Sequence, residues 1–121
     1  MVLDANIVET KNAIAGVGPN NKVDYIFTDP PFGGNLMYSE LNFLWEAWLR
    51  VFTNTTYEAI TNKTQKKELF DYQRIMLRSF QEFYRILKPG RWMTVEFSNT
   101  RASVWNAIQA TLQEAGFVVA N

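Results

Sequence analysis

Val23-Asp24-Tyr25-Ile26-Phe27-Thr28, followed at once by Asp29-Pro30-Pro31-Phe32-Gly33-Gly34, is the stretch on which the fold turns. The first six residues are apolar and rich in β-branched and aromatic side chains, the pattern of a short buried strand. Asp29 and two prolines end it abruptly, because proline lacks the backbone donor that a central ladder needs. A carboxylate, a rigid diproline, an aromatic ring and two glycines therefore gather at one strand exit.

Downstream, Ser39 is a candidate N-cap ahead of Glu40. Leu41, Leu44, Trp45, Trp48, Leu49 and Phe52 then recur at spacings of three and four. That period predicts an amphipathic helix with Trp45 and Trp48 packed in the core; base stacking by the two rings is the competing reading. Thr53 to Lys67 is polar and reads as a surface loop. Glu68 to Leu87 resumes the helical period and stops at Lys88-Pro89-Gly90. Trp92 to Phe97, WMTVEF, reads as a second strand ending at Ser98-Asn99. Ala102 to Ala115 reads as a helix closed by Gly116, and Phe117 to Ala120 as the start of a third strand. Upstream, Gly16 to Asn21 is a turn-rich loop, and Met1 to Ala15 a short strand followed by a helix.

This order predicts a three-layer α/β fold with a mostly parallel sheet flanked by helices. The two strands VDYIFT and WMTVEF lie side by side, joined by a right-handed helical crossover. Functional groups in such sheets collect beyond the carboxyl ends of the strands, so Asp29 and Ser98-Asn99 are expected at one edge.

Composition narrows the chemistry. The 121 residues are the size of one domain, and 47% hydrophobic content is enough for a packed core. Twelve basic and twelve acidic residues give a formal charge of zero, so any grip on nucleic acid must come from a local patch. The chain has no cysteine and no histidine, which excludes disulfides and histidine acid–base catalysis and leaves no metal site to expect. Without a membrane-length apolar run or a secretory signal, a cytoplasmic location is expected, and the sequons at Asn54 and Asn62 are read as chance matches.

Asp-Pro-Pro-Phe directly after a strand carries a specific chemistry. A stiff strand exit is the plain alternative, but the tetrapeptide pattern arises by chance in only roughly a few per thousand chains of this size. An exocyclic amine on a nucleobase is a poor nucleophile, because its lone pair is delocalised into the ring. A carboxylate and a backbone carbonyl that accept its two N–H bonds hold the nitrogen nearer tetrahedral geometry and free the lone pair. Asp29 supplies the carboxylate and Pro30 the carbonyl, and the diproline preorganises both. Phe32 offers a face for stacking an extracted base, worth ~1–3 kcal/mol. Gly33 and Gly34 leave room for close approach.

TDPPFGGNLMYSELNFLWEAWL, from Thr28 to Leu49, resembles motif IV and the following helix of the adenine-specific branch of the N6-adenine and N4-cytosine DNA methyltransferases. YRILKPGRWMTVEFSN and VWNAIQATLQEAGF are similar to later parts of the same branch, so the likeness runs from about Val23 to Val119. It implies a Rossmann-like fold, S-adenosylmethionine as cofactor, DNA as partner, and methyl transfer to the amine of adenine. It implies Asp29, Pro30 and Phe32 as the catalytic amino-group site, with Pro31, Gly33, Gly34 and Asn35 lining the substrate and Thr28 where base and cofactor meet. Ser98 and Asn99, at the same edge, are expected to position cofactor or substrate. The polar run Asn62 to Lys67 resembles a segment over the active edge; a solvated charge run is the other reading. N4-cytosine in DNA, guanine N2 in ribosomal RNA, and a non-catalytic fragment are the alternatives. Aspartate in the first motif position favours adenine over cytosine.

One departure is clear: the family's Phe-x-Gly-x-Gly cofactor loop is missing, and Gly16-x-Gly18 reads as an ordinary turn. Residues 1–121 are therefore expected to form the DPPF half of a catalytic domain. The cofactor loop and the target-recognition region lie outside it. Such a chain alone should neither bind cofactor tightly nor methylate DNA, and should self-associate through the exposed edge of VDYIFT. Glu96 is a possible site carboxylate, and Arg91 and Arg101 are read as surface charges within reach of phosphate.

Overall fold

The computed structural model describes residues 18–34, 36–52, 54–64 and 66–120. Strand β1 (Val23–Thr28) leads through the DPPF loop into helix α1 (Tyr38–Leu49). A 3-10 turn (Thr55–Tyr57) and helix α2 (Leu69–Ile86) follow, then strand β2 (Leu87–Val95) and helix α3 (Ala102–Glu114). The two strands pair in parallel, Tyr25 with Trp92 through Thr28 with Val95. The ladder runs one step further, where the Glu96 N–H donates to the Thr28 carbonyl at 2.9 Å. The mixed helices and this small parallel sheet are an α/β arrangement.

Helix α2 passes into β2 without a loop, so β2 begins at Leu87 rather than Trp92 and ends at Val95 rather than Phe97. The pairing jumps from Val23–Leu87 to Tyr25–Trp92, which leaves residues 88–91 bulged opposite Asp24. Charge pins that bulge. Lys88 Nζ donates to both Asp24 oxygens at 2.8 and 2.9 Å, and Arg91 approaches at 3.5 Å. The Lys88 hydrogen bond holds the Asp24 carboxyl below the usual carboxylate range.

One face of the sheet is covered. Met93, Val95 and Phe97 pack against Tyr72, Met76 and Phe80 of α2 and Val104 and Ile108 of α3, because these residues fall at strand period two and helix period near 3.6. Tyr25, Phe27 and Trp92 alternate to the other face and stay 54%, 60% and 67% exposed. The expected three layers are therefore two among the described residues.

Other expectations are corrected as well. Trp45 and Trp48, expected in the core, are 68% and 82% exposed, and α1 buries no residue at all. Met37, not Ser39, is the N-cap of α1. Ser39 instead donates through its backbone N–H and its hydroxyl to the Glu58 carboxylate at 2.9 and 2.7 Å, so a distant acid caps the helix. Residues 53–67 are more than a surface loop, since Ala59 and Ile60 are buried and Ile60 bridges to Gly33. Phe117 to Ala120 forms no strand. The expected elements in Met1 to Ala15, and Gly16 of the opening loop, lie outside the described residues.

Candidate functional site

The end of β1 and the end of β2 meet, as the parallel pairing requires. Asp29 is the first residue past β1 and is exposed, while Pro30 is buried beneath it. Three successive carbonyls beyond them are each held by a different part of the chain. Tyr72 of α2 donates its hydroxyl to the Pro31 carbonyl at 2.6 Å. Asn99, past β2, donates its amide to the Phe32 carbonyl at 2.5 Å. The Thr61 N–H donates to the Gly33 carbonyl at 3.4 Å. By contrast, no group among the described residues donates to the Asp29 carboxylate or the Pro30 carbonyl. The three downstream carbonyls are thus held by the chain itself.

Phe32 is half-buried and meets Phe97 edge-on, with ring centroids 5.3 Å apart; Phe97 meets Trp105 in the same way at 5.2 Å. Any base that stacks on Phe32 therefore meets a ring already oriented. The glycines serve the chain's own packing. Gly33 has φ of +83°, and a Cβ there would meet Val104 at 3.6 Å. A Cβ on Gly34 would lie 2.6 Å from the Thr61 hydroxyl, so this glycine lets the 54–64 segment close on the loop. Asn35 lies outside the described residues.

Asn99 is a positioning residue. Its amide nitrogen holds Phe32, its amide oxygen accepts from the Arg101 N–H at 2.8 Å, and its carbonyl accepts from the Trp105 indole at 2.8 Å. Thr28 is half-buried and Ser98 exposed at the same edge. The Asn99 amide uses one N–H on the Phe32 carbonyl and its oxygen on the Arg101 N–H. Glu96 is exposed just past β2, Arg91 pairs with Asp24, and exposed Arg101 supplies the N-cap of α3.

Two hollows lie nearby. One of about 370 Å³ is lined by Thr55, Thr56, Lys66, Lys67, Asp71 and Arg74. Lys67 is structural there, donating to the carbonyls of Thr55 and, at 2.7 Å, Glu58; burial pushes its ammonium below the usual lysine value. A larger groove of about 580 Å³ runs along β2 and residues 116–120 and touches none of Asp29 to Gly34. Its charged side chains, Lys88 and Arg91, are already paired with Asp24.

Sequence reasoning missed Tyr72 and Glu58. Tyr72 reads from its spacing as one more core residue, and nothing local reveals that its hydroxyl reaches the loop. Compared with protein-family models, curated proteins and solved structures, the chain matches none of them.

Proposed function

We propose that the edge formed by Asp29, Pro30 and Phe32 receives the exocyclic amine of a nucleobase, adenine in DNA first, for methyl transfer from S-adenosylmethionine. The observation that carries this reading is the pattern of acceptors. The carbonyls of Pro31, Phe32 and Gly33 are tied back to three elements, while the Asp29 carboxylate and Pro30 carbonyl have no donor among the described residues. A carboxylate and an adjacent backbone carbonyl offer two acceptors for the two N–H bonds of an amine, and a diproline backbone needs little reorganisation as charge develops on nitrogen. Phe32 would stack the base. The methyl donor supplies the electrophile. Thr28, Ser98 and Asn99 would line part of its site, and further residues would complete it.

The test is labelled-methyl transfer to an adenine-containing oligonucleotide, in a protein that joins this chain to a cofactor glycine loop. Asp29→Ala should lower turnover roughly 100-fold or more with cofactor affinity little changed. Near-normal transfer by that variant would overturn the assignment.

A further inference from the structure

We infer that two copies of this chain associate, with the apolar face of α1 from each lying on the uncovered face of the other's β1–β2 sheet. The inference stands on exposed surface and is independent of the proposed function.

Leu41, Leu44, Trp45, Trp48 and Leu49 form one stripe along α1, and all are more than half exposed. The helical period places Glu40, Glu46 and Arg50 off that stripe. Tyr25, Phe27 and Trp92 form a second apolar surface, the sheet face opposite α2 and α3. Among the described residues α1 has no substantial packing against either strand or either other helix. Its N-terminal end is instead tied to the 54–64 segment through Ser39–Glu58 and Met37–Asn62. One chain thus carries both a helical ridge and a flat pleated face, each without a partner.

Size and shape point to a second copy as the occupant. Full burial of one aromatic side chain removes roughly 150–250 Å², so the two surfaces together offer on the order of 1,000 Å² per copy. A stable interface needs about 800 Å² per partner, and the largest apolar patch on an ordinary monomer is about 300–600 Å². A two-fold axis covers both surfaces of both copies at once, with the same contact made twice. Neither surface presents a charge at its centre, so no unpaired ion is buried by the contact.

Sedimentation of the 121-residue chain over about a hundredfold range of concentration should show a monomer–dimer equilibrium. Trp48→Glu on the helix and Phe27→Lys on the sheet should each weaken it about tenfold or more, since aromatic anchors dominate such contacts. Circular dichroism should stay unchanged, as both side chains are exposed. If either variant alters it, Leu44→Glu or Trp92→Lys carries the same expectation. An equimolar mixture of the two variants should associate more tightly than either alone, because the mixed dimer keeps one intact helix-on-sheet contact. A monomer at every concentration overturns the inference, as would closure of α1 or of residues 1–17 over the chain's own sheet. A dimer insensitive to Phe27→Lys means that helix packs on helix, and a dimer insensitive to both variants means edge pairing; either result overturns the inference too.

Discussion

Tyr72 joins the core to the candidate site. Its ring is fully buried in α2, and its hydroxyl reaches the Pro31 carbonyl. Burial first, and the nearby Tyr38 second, push its phenol above the ordinary 10.0. The folded chain therefore resists ionising a group that the unfolded chain ionises near pH 10. The stability contributed by neutral Tyr72 is complete below that pH and is lost as the pH rises above it. Tyr72→Phe should cost about 1–2 kcal/mol at neutral pH, the usual worth of a buried hydrogen bond whose acceptor is left behind. It should also flatten the alkaline decline, which urea melts at several pH values would measure. Asn99→Ala should cost a similar ~1–2 kcal/mol and release the Phe32 loop, read as faster amide exchange from Phe32 to Gly34. An unchanged melt for both variants would remove the claim that these two side chains fix the loop.

At the scale of elements, helix α1 depends on an acid outside it. Glu58 accepts from the Ser39 N–H and hydroxyl, so Glu58→Ala should destabilise the helix start by about 1 kcal/mol, visible as lost protection of the first turn of α1 in hydrogen exchange. Gly34→Ala should clash with Thr61, whose hydroxyl lies 2.6 Å from the added carbon. Thr61→Ala should restore part of that loss, because the 3.3 Å approach of the Thr61 carbonyl persists. A chemical melt of the double variant no better than Gly34→Ala alone would show that the clash lies elsewhere. The strand pair was legible in the sequence, because VDYIFT and WMTVEF are β-rich and bounded by prolines and polar residues. The burial of α1 was not. A period of three and four says which side chains share a face, and says nothing of whether a surface exists to meet it. Phe117 to Ala120 failed for a related reason: β-rich composition cannot make a strand where no neighbour pairs with it.

For the whole molecule, the placement of Asp29 and Asn99 at one sheet edge was legible, because parallel strands must end at one edge. The jobs of individual residues there were only partly legible. Gly33 and Gly34 read as room for a substrate; Gly33 also carries a φ of +83°, and a Cβ on Gly34 would meet Thr61 at 2.6 Å. Asn99 reads as positioning cofactor or substrate, and its amide also holds the loop at the Phe32 carbonyl. These are side-chain contacts between segments about 25 to 70 positions apart, and no local pattern encodes them. The same reach explains why one sheet face is open. Among the described residues two helices, α2 and α3, pack on the covered face, and α1 has no substantial packing on either.

The central claim is that the Asp29 carboxylate and Pro30 carbonyl accept the two N–H bonds of a base. The most direct measurement is a titration of the chain, followed by amide resonances, with an oligonucleotide holding one unpaired adenine. The same strand carrying purine, which lacks the amine, is the control. The account predicts shifts centred on Asp29, Phe32 and Asn99 with adenine, and clear weakening with purine. Shifts of equal size with both strands, or shifts confined to other parts of the chain, would contradict it.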